Sequence, residues 1–257
     1  MIETNYKPRI VRGREPIEIW VPHEDKEIAF AHHEYGPDIY RDVANQIFKN
    51  KQKVPIGDYI VSLLYPAYCD KKVRKVKEFT NVRDTLHDDH LWVFNVNAWT
   101  NKGVYVIMDL EAKGRGLRVD INELEKALEN GKDINGVRFS KDNLVRFAPK
   151  ETYKFGCHTP DSLSKDGFII ASFGEEGAKK LAEVSSKFEE NIFISGYYYA
   201  HQGDKISQRV SSLNTSHDDY NALMFSGNTY DDWEEWDDWD GSRKYYAFGI
   251  INNQGEK

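Results

Sequence analysis

The stretch LWVFNVNAWT (Leu91–Thr100), then NKG (Asn101–Gly103), then VYVIM (Val104–Met108), carries the clearest structural signal in the chain. Both outer runs are rich in β-branched and aromatic residues, and a three-residue connection containing glycine joins them as a hairpin. Downstream, past a loop with Gly114 and Gly116, Asp120 can cap a helix and Glu123 can complete a capping box. Leu124 and Leu128 give that helix its apolar stripe, and Gly131 fits the position just beyond its end. Val137 to Phe139 and Leu144 to Phe147 then form a second hairpin around Lys141-Asp142-Asn143.

A similar order recurs. Phe168 to Ala171 reads as a strand, and Ser172 with Glu175 reads as a capping box opening a helix. The apolar positions of that helix are Ala178, Leu181, Ala182 and Phe188. Ile192 to Tyr199 and Ile206 to Leu213 follow as strands around a turn with Gly203 and Asp204. A β-α-β-β order thus occurs at 104–148 and at 168–213, as a weak duplication would leave it. Residue identity between the two copies is poor, and such orders are common, which favours coincidence.

Upstream, Ile17 to Val21 alternates between Pro16 and Pro22 as a short strand would. Pro37 can open a helix with Ile39, Val43, Ile47 and Phe48 on one face. Tyr59 to Tyr65 is apolar enough for a buried helix or a strand. The expected fold is α+β, with antiparallel β-sheets and a few amphipathic helices. It divides near Lys77 to Leu91 into an N-terminal α/β subregion, 1–80, and a C-terminal α+β region, 81–257.

The chain has 257 residues, enough to bury a core without metals or disulfides. Its two cysteines, Cys69 and Cys157, cannot form a disulfide framework, so a reducing, cytoplasmic setting is expected. Met1 to Arg14 has no apolar stretch of the kind a secretory signal needs. The longest mostly apolar run, Tyr59 to Cys69, falls well short of a membrane span. No membrane association is expected, and composition leaves the oligomeric state open.

The net charge of −7 resides in one place. Between Tyr230 and Gly241 lie seven Asp and Glu with no Lys or Arg, and removing them leaves 35 acids against 35 bases. Residues 231–241 read DDWEEWDDWDG, so Trp233, Trp236 and Trp239 recur every third residue between acid pairs. A calcium loop with Gly241 at its sixth position places Asp238 and Asp240 correctly. It also puts Trp236 first and Ala247 twelfth, so it fails at both ends. The segment then reads either as a recognition surface or as three rings docked on the protein's own core. As a surface, Trp233, Trp236 and Trp239 would supply contact area, and Asp237 and Asp238 would select a basic protein partner. The densest basic run, KKVRKVK (Lys71–Lys77), could pair with it internally; it is too short, in a chain that is not basic, to predict nucleic-acid binding.

His87 and His90, with Asp88 and Asp89, form the best catalytic constellation, and on a helical turn the two rings would share a face. Imidazoles and carboxylates together could hold a divalent metal and activate water for hydrolysis. The spacing matches no established zinc motif, and a polar turn is expected there anyway. His32-His33-Glu34 and His217-Asp218-Asp219 could add ligands only if folding brought them near. Cys157-His158 precedes a helix start at Thr159-Pro160, but adjacency in sequence does not make a dyad. Lys113-Gly114-Arg115-Gly116 is Gly-rich and basic and could contact phosphate, whereas the two Glu of Phe173-Gly174-Glu175-Glu176-Gly177 would repel one; neither matches a nucleotide fingerprint.

The leading expectation is a non-catalytic interaction protein acting through the acidic aromatic segment. A metal-dependent hydrolase using His87, Asp88 and His90 is the alternative, and whether the chain is an enzyme stays open. No cofactor is expected apart from the divalent metal that the alternative would require.

Overall fold

A computed structural model describes residues 6–13, 15–188, 192–196, 206–215, 222–229 and 244–251. In chain order the first elements are β1 (Arg9–Val11), β2 (Ile17–His23), β3 (Lys26–His32), β4 (Tyr35–Asp38), α1 (Tyr40–Lys49), α2 (Gly57–Cys69) and α3 (Lys77–Asp88). Then come β5 (His90–Trp99), β6 (Gly103–Met108), α4 (Ile121–Leu128), β7 (Lys132–Ile134), β8 (Val137–Phe139), β9 (Val145–Pro149) and β10 (Gly156–His158). The last are α5 (Pro160–Leu163), α6 (Gly167–Ser185), β11 (Ile192–Ser195), β12 (Ser207–Thr215), β13 (Leu223–Thr229), β14 (Tyr245–Ala247) and β15 (Ile250–Ile251). The fold is α+β.

β5 is the hub of the larger sheet, whose order is β10-β11-β13-β12-β5-β6-β9-β8-β7. β12 runs antiparallel along one side of β5, from Ser207 opposite Trp99 to Asn214 opposite His90. The predicted hairpin forms on the other side, from Asn95 opposite Met108 to Trp99 opposite Val104. Beyond the end of β6, Tyr246 of β14 pairs with Leu91. That pairing and the β11–β13 pairing are parallel, so the sheet is mixed where antiparallel sheets were expected. A smaller sheet orders β1-β2-β3-β15.

Every residue of β5 from Leu91 to Trp99 is buried. Alternate side chains of a strand point to opposite faces, so such a strand needs cover on both. Trp92, Phe94 and Val96 share a core with Tyr40, Val43, Ala44 and Ile47 of α1. Leu91, Val93 and Trp99 belong to the main core with Val61 and Leu64 of α2, Phe79 of α3, and Phe168 and Phe173 of α6. That core draws on both sides of residue 80, and α3 runs across the expected divide.

The expected strand at Phe168 to Ala171 is instead the first turn of α6. Its cap is Asp166, whose carboxylate accepts from the backbone N–H groups of Phe168 and Ile169 at 3.0 and 3.1 Å. Phe168, Ile169, Ile170 and Ala171 are all completely buried, so this turn carries no polar stripe to reveal a helical period. Ser172 caps nothing; its hydroxyl is buried without a partner. The second β-α-β-β copy therefore lacks its first strand, and the suggested duplication of 104–148 in 168–213 does not hold.

Two other local readings are resolved or matched. Tyr59 to Tyr65 lies within a helix, α2. Asp120 caps α4 by accepting from the backbone of Asn122 and Glu123. On that helix Glu125 takes a two-pronged ion pair from Arg138 at 2.7 and 2.8 Å and a hydrogen bond from the Tyr105 hydroxyl. The Arg138 guanidinium lies 4.7 Å over the Phe147 ring. The hydrogen bonds from Arg138, reinforced by the one from Tyr105, pull the Glu125 pKa from its ordinary 4.5 down to about 2. The pair thus stabilises the fold fully above the ordinary value, and its contribution is lost as pH falls towards about 2. NMR titration of the Glu125 side-chain carboxyl carbon should give a midpoint near 2, and Arg138→Met should return it towards the ordinary range.

Candidate functional site

A cavity of about 160 Å³ opens where the β2–β3 turn, the start of α2, β9 and the middle of α6 meet. Two glycines shape it. A Cβ at Gly57 would collide with the carbonyl oxygen of Ser172, so glycine lets α2 start directly against α6. At Gly174, φ is +72° and ψ is 167°, which breaks α6 into two helical halves; the second begins at Glu175 and borders the cavity. A helix was expected to open near Ser172 to Glu175, and this break is the feature behind that signal.

Beside Gly57, Asp58 receives both prongs of the Arg146 guanidinium at 2.8 and 2.7 Å. Arg146 also donates to the Ala171 carbonyl at 3.1 Å and lies 5.0 Å over the Phe139 ring. Its side chain is only 2% exposed, against 19% for Asp58. This one residue ties β9 to both helices, and its Nε, buried, has no partner.

His23, at the end of β2, is 7% exposed and lines the cavity. Its Nδ1 lies 2.9 Å from the Ser62 hydroxyl, which donates to the Asp58 carbonyl at 3.1 Å. With that hydroxyl proton committed to the carbonyl, Ser62 accepts from His23, which assigns the imidazole proton to Nδ1. Nε2 is left as an acceptor with no hydrogen bond to the described residues. Burial pushes the His23 pKa below 6.5, so the ring is neutral near neutral pH. Burial likewise lowers the pKa of Lys180, which lines the cavity and forms no ion pair with the described residues.

A second region is the end of the large sheet that carries Trp99. Ser207 pairs with Trp99, Thr229 with Val210, and Ser195 with Ser226, so β11, β12 and β13 all meet their flanking connections here. Trp99 packs at 4.9 Å from Phe168, 5.6 Å from Phe155 and 6.0 Å from Tyr153, and its indole N–H donates to Gly227. Asn97 is wholly buried and donates to Ser211 and to Gly227.

The residues singled out by sequence are scattered. Trp233, Trp236, Trp239, Asp237 and Asp238 lie outside the described residues, as does His217-Asp218-Asp219. His87, at the end of α3, has Nδ1 3.2 Å from the Thr215 hydroxyl, and Asp88 is exposed. His90 belongs to β5 and stacks on Tyr245 at 4.3 Å with the rings 9° apart. α3 ends at Asp88, so the two imidazoles sit on different elements and do not share a helical face. Among the described residues no group of three or more His, Cys, Asp and Glu is placed to hold a metal ion.

His32 meets Asn81, and His33 lies against His32. Cys157 is exposed on β10, whereas His158 is buried and bound to the Lys154 carbonyl, so the adjacent pair points to opposite faces. The glycine-rich loop at Lys113 already holds an anion of the protein's own. The buried Asp109 carboxylate accepts from the backbone of Lys113 and Gly114 at 3.0 and 2.7 Å. Lys71 to Lys77 forms the exposed bend between α2 and α3. The cavity residues His23, Asp58, Ser62, Arg146 and Lys180 carried no motif; only the glycine at 174 left a trace.

No protein-family model matches the chain, and no curated protein matches it. One similar solved structure is described as the accommodation of massive sequence variation in Nanoarchaeota by the C-type lectin fold. The likeness has a TM-score of 0.46 and 13% identity, over 89% of this chain and 99% of that one. A likeness that distant carries no argument about ligand or activity.

The Asp58–Arg146 pair predicts an asymmetric response. Asp58→Ala strands a guanidinium that is 2% exposed, and should cost about 3–5 kcal/mol. Arg146→Met leaves a carboxylate that water can partly reach, and should cost less. Urea denaturation of the two single variants and the double variant measures both, with the double recovering part of the Asp58→Ala loss.

Proposed function

We propose that the protein is a non-catalytic binding protein whose contact surface is the acidic aromatic segment, with Trp233, Trp236 and Trp239 as anchors and Asp237 and Asp238 selecting a basic protein partner. The observation that carries this reading is where the segment is attached. Thr229 ends β13 at the Trp99 end of the sheet, and Tyr245 opens β14 on the far side of β5, where Tyr246 pairs with Leu91. Five steps along the strands and three strand spacings separate those anchors, a distance of about 22 Å. About seven extended residues would reach that far. Residues 230–243 are twice as many, and they hold half of the protein's tryptophans and the acids that account for its net charge. Passing around the covered sheet takes up part of the extra length, but closing it does not call for the indoles.

The same end of the sheet supports the reading in a second way. Ser195 and Ser207 attach there the connection that contains Tyr197, Tyr198 and Tyr199. Tyrosine and tryptophan supply large contact area at low conformational cost, and carboxylates around them steer a basic partner.

Tryptophan fluorescence tests this directly. A lysine- and arginine-rich peptide should alter the emission of the wild-type protein, and the effect should fall as salt rises. Replacing Trp233, Trp236 and Trp239 together with Phe should abolish the response while leaving the melting temperature unchanged. If acrylamide fails to quench those three indoles in the wild type, the proposal is lost.

A further inference from the structure

We propose that the basic bend between α2 and α3 docks the acidic aromatic segment of a second copy of this chain, so that the protein self-associates. The inference rests on the reading above, in which that segment is presented to a basic partner, and it names the partner.

The two stretches match in sign and in spacing. The bend reads KKVRKVK from Lys71 to Lys77, and the segment reads DDWEEWDDWD from Asp231 to Asp240. Each repeats every three residues, with two charges followed by one apolar side chain. Five cations in seven residues stand against seven acids in ten, the densest run of each sign in the sequence. A surface complementary to the segment is thus encoded in the same chain.

The fold turns this pattern into a surface. Lys71, Lys72, Arg74, Lys75 and Lys77 are exposed, whereas Val73 and Val76 are half-buried and pack against the main core. The valines pin the bend and the cations face outward. Its backbone is held as well. The Arg74 N–H donates to the Asp70 carbonyl at 3.0 Å, and the Val76 N–H to the Val73 carbonyl at 2.8 Å. From α3, the Arg83 guanidinium donates to the carbonyls of Ala67 and Arg74 and so ties the bend to the end of α2. A surface held in this way loses little conformational freedom when a partner docks.

The bend also lacks a counter-charge close by in sequence. Of the two adjacent acids, Asp70 accepts from the Lys72 backbone N–H at 2.7 Å and Glu78 holds Arg12 by both oxygens. None of the five cations forms an ion pair with a described residue. Like charges so crowded repel one another, and a run of carboxylates relieves that repulsion. The indoles between the carboxylates add faces that attract Lys and Arg. A segment lying on its own bend would be consumed within one chain, so a segment presented to a partner meets the bend of another. Because bend and segment are different patches, the contact either closes as a reciprocal pair or continues as a chain.

Sedimentation of the full chain at several concentrations tests this. The average mass should rise above that of the monomer with concentration, and the rise should vanish at about 1 M salt, where the screening length is about 3 Å. Replacing Lys71, Lys72 and Lys75 together with Glu alters exposed side chains alone, so the melting temperature should hold while self-association is lost. Replacing Glu234, Asp237 and Asp238 together with Lys should likewise leave a monomer. Mixing the two variants should restore association, since each bend then faces a segment of opposite sign. A wild type that stays monomeric, a bend variant that associates like the wild type, or a mixture that stays monomeric overturns the proposal. If the wild type is monomeric while its tryptophan emission still answers a basic peptide, self-association falls and the binding reading stands. If the emission is silent too, both fall.

Discussion

A strand buried on both faces cannot exist alone, and that constraint organises this molecule. β5 has no wet side from Leu91 to Trp99, so its backbone must be paired along both edges and its side chains covered above and below. β12, β6 and β14 meet the first demand. α1 on one face, and α2, α3 and α6 on the other, meet the second. Asn97 fits into this dry strand because its amide reaches Ser211 and the Gly227 carbonyl.

Charge follows a similar rule of internal satisfaction. Asp109 holds its own loop, Glu125 holds Arg138, Glu78 holds Arg12, and Asp58 anchors the guanidinium that joins β9 to two helices. Against that background the cavity stands apart. There His23 Nε2 has no hydrogen bond to a described residue, and Lys180 is half-buried near Glu176 and Glu24.

Local chemistry was legible in the sequence and long-range chemistry was not. The hairpin of β5 and β6 and the Asp120 cap each depend on residues a few positions apart, and each appears as read; the α1 stripe is right only in part, since Val43 and Ile47 are buried but Phe48 is exposed and the helix opens at Tyr40 rather than Pro37. α6 was half-read: Gly174 signalled a helix start, but the turn before it is buried on all sides and lacks the polar face that reveals a helix. The parallel placement of β14 had no local signal at all, since Tyr246 meets Leu91 only through the whole fold. His23, Asp58, Arg146 and Lys180 come from four separate elements, so no spacing rule could have joined them. The two histidines that looked closest, His87 and His90, are parted because α3 stops between them.

The order of pairing has a consequence for how the chain folds. β3 pairs with β15, so Phe30 lies opposite Ile250, and β5, paired at once with β6 on one edge, takes its partner on the other edge more than a hundred residues later. Contacts of such separation must close large loops before they return any stability, which slows folding. During synthesis the early strands would leave the ribosome long before the residues that cover their edges. β3 and β5 would wait with apolar faces and open hydrogen-bonding edges, the state most prone to pairing with another chain. The protein's vulnerable moment therefore falls before its last strands arrive.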